Sequence, residues 1–385
     1  MKDINDWPLL EKEKLFDYLR WNSYRSEYYK LFYVATPKVA CTSLKWWFAD
    51  LEGYTHILRD ITDSDETDPD LVIHDTFHRV APDVTGLRPE ALSEALTSDS
   101  YFRFALVRNP YKRIFSAFQS KLLLKEPLQI GPYLQCHFFN CPIKCADDIA
   151  AAFEGFLEHL ATNEAPSYLD VHWTPQMTLL RPDLINYSKL IKIENVKELS
   201  QTIAERYGGN IPDPFTTRHT NESLIPYHPK LVTDRSSELI RSLYAMDFEA
   251  FGYDMQLPRV KKTFSTGHYD LAFKAIALIR GRHKRLGERN LQINNLNQQL
   301  TKKEQLTVQN NEELKQKNEE INLKNEEIKH KNEELDQKNE TFYQTNEELK
   351  QKKEELNQIL VSKSWRITKP LRVISDFITK RIGSI

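Results

Sequence analysis

Two short segments of this 385-residue chain carry residue types and spacings suited to holding anions. The first, PKVACTSLK at residues 37–45, follows an apolar run and precedes a helical pattern. Small side chains at Ala40, Thr42 and Ser43 let the backbone close around an anion. The start of the next helix would aim unpaired N–H groups and its positive dipole end at that anion. Thr42 and Ser43 add hydroxyl donors, and Lys38 adds a mobile charge. Pro37, Val39 and Cys41 complete the turn, Cys41 as a small packing residue without a nucleophilic role. The turn has no glycine, so it is not the GxxxxGK[ST] loop of nucleotide-dependent kinases. The second segment, RNPYKRIFS at residues 108–116, repeats the plan. Arg108 ends an apolar run, Pro110 suits a helix start, and Ser116 lies about two turns further on. A guanidinium and a hydroxyl converging from strand end and helix can hold a terminal phosphate monoester, the arginine bidentately.

The elements that must position these turns are legible from periodicity. LFYVA (31–35) and FRFALV (102–107) read as buried strands. Helical spacing follows each, over residues 42–51 and 112–124. Repeated strand–turn–helix units predict an α/β domain with a mostly parallel sheet, whose ligands bind beyond the carboxyl ends of the strands. Both turns fall there.

These residues also carry a resemblance. PKVACTSLK resembles the 5′-phosphosulfate-binding loop of the carbohydrate sulfotransferases. Val-Arg-Asn-Pro-Tyr-x-Arg-x-x-Ser-Ala-Phe is similar to the family's 3′-phosphate-binding segment. VHWTPQ (171–176), IKIENV (191–196), RHTNES (218–223) and YAMDFEAFGY (244–253) continue the likeness. It implies the P-loop-like sulfotransferase fold, with a central sheet flanked by helices, and 3′-phosphoadenosine 5′-phosphosulfate as donor to a carbohydrate hydroxyl. It implies Pro37, Lys38, Val39, Ala40, Cys41, Thr42, Ser43, Arg108, Ser116 and Arg218 on the donor. Lys38 would neutralise the bridging oxygen as the bond breaks. With side chains and N–H groups holding the phosphates, no metal is called for.

The accepting hydroxyl must lose its proton, so a general base is wanted. His74, in VIHDTFHRV after an apolar run read as a strand, comes first, with Asp75 able to orient it. His172 comes second, and His219 is read as a donor-side contact. Tyr244, Phe248, Phe251 and Tyr253 space as the core face of a helix. Cys136, Cys141 and Cys145 lack the paired spacing of a structural zinc site.

Composition sets the remaining bounds. A net charge of −2 gives no support for nucleic-acid binding. No apolar run suits a signal peptide or a spanning helix, and four cysteines are too few for a disulfide scaffold, so a cytoplasmic location is expected. The chain divides into an N-terminal helical extension (1–29), the sulfotransferase-like domain (30–257), a basic helical connector (258–290), a heptad repeat (291–360) and an amphipathic basic tail (361–385). In the repeat, Leu314, Ile321, Ile328, Leu335, Phe342, Leu349 and Leu356 recur every seven residues, with an asparagine column three before each of the first six. That pattern predicts a coiled-coil arm and a homo-oligomer. The tail, with Trp365, Leu371, Ile374, Phe377 and Ile378 among basic residues, resembles a Ser-Trp-Arg-x-Thr-x-Pro-Leu-Arg element at the ends of bacterial surface-polysaccharide glycosyltransferases. Such a segment suits an anionic membrane surface or an enzyme of polysaccharide synthesis. The alternatives to an enzyme of this family are a non-catalytic assembly protein with a vestigial nucleotide site and, less favoured for want of glycines, a nucleotide-dependent kinase.

Overall fold

The structure, a computed structural model, describes residues 9–62, 64, 68–126, 133–162, 170–215, 223–260 and 265–382. It divides into two units, residues 1–292 and 293–385.

Among the described residues of the first unit, four strands lie in the order β1 (Ser23–Ser26), β2 (Leu31–Val34), β3 (Phe102–Val107) and β4 (Lys189–Lys192). β2, β3 and β4 run parallel, and β1 pairs antiparallel with β2 at one edge. Helices flank the sheet, giving the α/β fold that the strand–turn–helix units imply. Both faces are covered, so β2 and β3 read as unbroken apolar runs. Side chains nevertheless alternate. Leu31, Tyr33, Phe102, Phe104 and Leu106 pack with Trp46, Trp47 and Phe48 of helix α2 (Cys41–Leu51). Phe32, Val34, Ala105 and Val107 pack with Leu15 and Leu19 of helix α1 (Leu9–Asn22). Each large side chain buried this way contributes roughly 1.5–3 kcal/mol. A third cluster, from Tyr111 and Phe115 through Phe153 and Trp173 to Tyr244 and Phe248, lies under the second turn. Tyr244, Phe248 and Phe251 are core side chains, as their spacing suggests.

Three sequence expectations change. The sheet begins before residue 30, because β1 is SYRS, whose buried serines hide the strand from any apolar pattern. VIHDTFHRV follows no strand. Ile73–Val80 is a helix, with Ile73, Thr76 and Phe77 buried at helical spacing. The basic connector is no mere linker: the helix Thr266–Val361 buries Ala272 and Ile276 in the third cluster.

The second unit continues that helix to Val361, followed by helices Lys363–Ile367 and Lys369–Ile382. The heptad residues Leu314 to Leu356 are each 51–63 % exposed. In the tail the Arg372 guanidinium sits 3.4 Å over the Trp365 ring, and Leu371, Ile374, Phe377 and Ile378 are exposed. Among the described residues no helix is long and apolar enough to cross a membrane.

Candidate active site

β2 ends at Val34, and the chain turns into α2 through two residues of left-handed backbone, Lys38 (φ 68°) and Ala40 (φ 55°). That conformation costs a non-glycine residue about 1–2 kcal/mol and persists where surrounding bonds over-determine it. Val39, fully buried, pins the turn to the core. The second turn supplies the bonds. Arg108 Nη1 donates to the Lys38 carbonyl at 2.9 Å, and Arg113 Nε donates to that of Pro37 at 3.2 Å. Arg113, 1 % exposed, also donates to the carbonyls of Thr174 and Val171. Nothing in its sequence position signals this clamp. α2 then begins without a side-chain cap. The N–H groups of its first turn, which have no intrahelical acceptor, suit the holding of an anion.

The two turns border one cavity of about 800 Å³, lined by Pro37, Lys38, Ala40, Cys41, Thr42, Ser43, Arg108 and Ser116, and by His74 and His172. Every described member of the sequence-derived set except Val39 is therefore gathered at one place. Arg218 and His219 lie outside the described residues. Asn109 caps the helix Pro110–Ala117, accepting from the N–H groups of Tyr111 and Lys112. Ser116, on that helix, has no side-chain hydrogen bond among the described residues.

Sequence reasoning missed Lys45, Ser120 and Lys121, which also line the cavity. Lys45 stands three residues after Thr42, on the same face of α2, a spacing that would have found it. Ser120 and Lys121 lie on a π-helical turn, Phe118–Leu123, that continues the helix Pro110–Ala117. FQSKLL carries no signal for that turn, although such bulges cluster at functional sites. Lys38 Nζ donates to Ser120 Oγ at 2.8 Å. Burial, then the neighbouring Lys121 charge, pushes the Lys38 ammonium down to about 8.

The two histidines differ in what holds them. His74 Nδ1 lies 2.9 Å from Lys45 Nζ, and Nε2 lies 2.9 Å from Thr42 Oγ1. An ammonium only donates, so Nδ1 accepts and Nε2 carries the proton to Thr42. Burial, then Lys45, holds this ring well below the usual histidine range. Asp75 does not orient it, since Thr42 and Lys45 take both ring nitrogens; the Asp75 carboxylate accepts from Ser64 Oγ. At His172 a carboxylate is the partner: Asp170 Oδ1 accepts the ring Nδ1–H at 2.7 Å and the His172 backbone N–H at 2.8 Å. Nε2 then carries the lone pair, with no hydrogen-bond partner among the described residues. Burial pushes this ring down to about 4, against the pull of Asp170.

A belt of polar side chains fixes the second turn from below. Gln176 accepts from Arg108 N and donates to Arg108 O. The buried Asp247 accepts from the N–H groups of Gln176 and Met177. Glu194 accepts from Asn109 N and from Tyr253 Oη. The HWTPQ, IENV and DFEAFGY segments thus position Arg108 rather than line the cavity, apart from His172. Cys136, Cys141 and Cys145 are free thiols, and no group of three metal-ligating side chains is found among the described residues.

Comparison with known proteins agrees with this arrangement. The profile of the sulfotransferase family (Sulfotransfer_2) matches residues 21–254, starting just ahead of β1. Carbohydrate sulfotransferase 14 of Mus musculus is 26 % identical over 246 residues, covering 62 % of this chain and 61 % of its own length. Carbohydrate sulfotransferase 10 of Danio rerio is 23 % identical over 245 residues, covering 58 % and 64 %. Carbohydrate sulfotransferase 9 of Homo sapiens is 24 % identical over 249 residues, covering 60 % and 52 %. The chain therefore spans between half and two-thirds of the length of these curated relatives. No solved structure matches it. With more than half of its residues inside the family profile, and both candidate anion-binding turns within that stretch, the chain belongs to the sulfotransferase family.

Proposed function

We propose that this chain transfers a sulfuryl group from 3′-phosphoadenosine 5′-phosphosulfate to a hydroxyl of a carbohydrate. The observation that carries the reading is the Arg108–Lys38 bond, which joins the two anion-holding turns at the edge of one cavity. The relatives' names support the acceptor class. The residues present fit a donor charged at both ends. Lys38, Thr42, Ser43 and the uncapped start of α2 suit the 5′ end, and Arg108 with Ser116, whose hydroxyl has no hydrogen bond among the described residues, suits the 3′-phosphate. When bound, the donor supplies the sulfuryl group and a bisphosphate leaving group. The acceptor oxygen bonds sulfur as the sulfur–oxygen bond to the phosphate breaks, and the hydroxyl proton passes to Nε2 of His172. Lys38 meets the charge that grows on the leaving oxygen. His74, with both ring nitrogens engaged, acts as a positioning residue for Thr42 and Lys45.

Arg108→Ala is expected to weaken binding of adenosine 3′,5′-bisphosphate by about 2–4 kcal/mol, by stranding a phosphate charge without its partner. The same change releases the Lys38 carbonyl, so adenosine 5′-phosphosulfate is expected to lose about 1 kcal/mol. Calorimetric titration of both nucleotides checks this, and equal losses would take Arg108 off the 3′ site.

The exposed heptad seam supports self-association of the arm, since an isolated helix gains little from a column of leucines. Ending the chain after Gln292 is expected to give a monomer with an unchanged melting midpoint. Ending it after Leu257 also removes Ala272 and Ile276 from the core and is expected to cost about 3 kcal/mol or more. Sedimentation and thermal melting of both truncated forms decide the matter. Identical melting of the two would detach residues 265–292 from the domain.

A further inference from the structure

The helix Thr266–Val361 begins beyond the residues that define the family, yet its first turns are built into the first unit. Ile276 is fully buried against the third cluster. Arg280 Nη2 donates to the Phe139 carbonyl, and His283 Nδ1 donates to the Leu124 carbonyl, each at 2.9 Å. Leu124 directly follows the π-helical turn that carries Ser120 and Lys121. This docking makes Ile279, Arg282, His283 and Leu286 a wall of the cavity that also holds Lys38, Arg108 and His172.

Charge and size both bear on what that wall meets. The lining holds five lysine or arginine side chains, Lys38, Lys45, Arg108, Lys121 and Arg282, against two carboxylates, Asp68 and Glu126. The donor turns and the His74 contact account for Lys38, Arg108 and Lys45. Arg282 is exposed and has neither an ion pair nor a hydrogen bond among the described residues. On the same helix Arg280 and Lys284 act on Lys125, which lies 4.4 Å over the Phe139 ring and is pushed down to about 8 by burial and then by those two charges. A cavity of about 800 Å³ lies in the upper part of the range for ligand sites, with room for an acceptor beside a nucleotide.

We propose that residues 266–292 complete the acceptor side of the cavity, and that Arg282 is a specificity-determining residue receiving a carboxylate of an acidic sugar. This rests on the transfer reading above, with the acceptor now assigned a charge. Arg–carboxylate pairing is bidentate and directional, so it selects an acidic sugar over a neutral one of the same shape. His283 holds the helix in place through Leu124, and Arg282 makes the contact.

The test uses the full-length protein saturated with adenosine 3′,5′-bisphosphate, titrated with a hexuronate-containing tetrasaccharide or with its carboxyl-reduced form. The natural chain is expected to prefer the carboxylate form by about ten-fold, a preference that weakens with salt. In Arg282→Gln the two affinities are expected to meet, with bisphosphate affinity unchanged. Arg282→Lys keeps the charge and is expected to retain part of the preference. Arg282 is exposed, so these variants are expected to melt as the natural chain does. The proposal falls if the natural chain shows no preference, if Arg282→Gln keeps it, or if the variant loses bisphosphate affinity as Arg108→Ala does. Discrimination that depends on Arg282 without any sulfate transfer would uphold the acidic subsite and sink the transfer reading. Transfer without such discrimination would do the reverse.

Discussion

His172→Asn is expected to lower turnover by about 10²–10⁴-fold while adenosine 3′,5′-bisphosphate binds as before. The magnitude is that of removing a general base, and the geometry says why this histidine rather than His74. Asp170 fixes the His172 tautomer with its proton on Nδ1, leaving a lone pair at Nε2 beside the cavity. His74 spends one nitrogen on Lys45 and the other on Thr42, so a proton from an acceptor has no place to go. His74→Ala is therefore expected to raise the donor KM, through Thr42 and Lys45, more than it lowers kcat. The pH profile is a second readout. The His172 ring is held at about 4, so the base form is complete at neutral pH. Activity is expected to fall as pH drops through about 4, so the acid limb of kcat/KM should lie well below the ~6.5 of a free imidazole. The same shift has a stability consequence. Between ~6.5 and about 4 the unfolded chain binds the proton that the folded chain refuses, so this ring subtracts from stability as the solution is acidified through that window. Full turnover in His172→Asn with an inactive His74→Ala would exchange the two roles.

The parts of this site that were legible in the sequence are those whose residues are neighbours along the chain. PKVACTSLK and RNPYKRIFS each place their chemistry within nine residues of a strand end, and the strands are unbroken apolar runs. What escaped was made by packing between segments. Arg113 looks like one more basic residue on a helix, and only the fold brings the carbonyls of residues 37, 171 and 174 to it. The preference for His74 came from an adjacent Asp75 that in fact takes Ser64, because on the helix Ile73–Val80 neighbouring residues point in different directions. The residue that does orient an imidazole is Asp170, two before His172 in an irregular turn. Composition drew attention away from packing at residues 258–290, where a run of basic residues read as a basic helical connector. Ala272 and Ile276, four apart, were the visible sign of a buried face.

Lys38→Ala is expected to lower kcat by about 10²–10³-fold while nucleotide affinity changes far less, because charge on the leaving oxygen grows only toward the transition state. The structure adds a pH signature that a mere binding lysine would not show in the same form. Burial and the neighbouring Lys121 hold Lys38 at about 8, so in the free enzyme its charge is lost as pH rises through that value. kcat/KM should then carry an alkaline limb near pH 8. A bound polyanion favours the ammonium, so the limb in kcat should lie at higher pH than the limb in kcat/KM. The linkage to stability has a definite sign: between about 8 and 10.5 the unfolded chain binds the extra proton, and stability from this group rises with pH across that interval. Lys38→Arg separates charge from geometry. A guanidinium stays protonated throughout the range, so the alkaline limb should vanish, while the wider planar head cannot reproduce the single bond to Ser120 and turnover should fall. An alkaline limb that persists unchanged in Lys38→Arg would assign it to another group. An unchanged kcat in Lys38→Ala, with only KM raised, would leave Lys38 as a binding residue and move transition-state stabilisation to Lys45 or to the N–H groups that open α2.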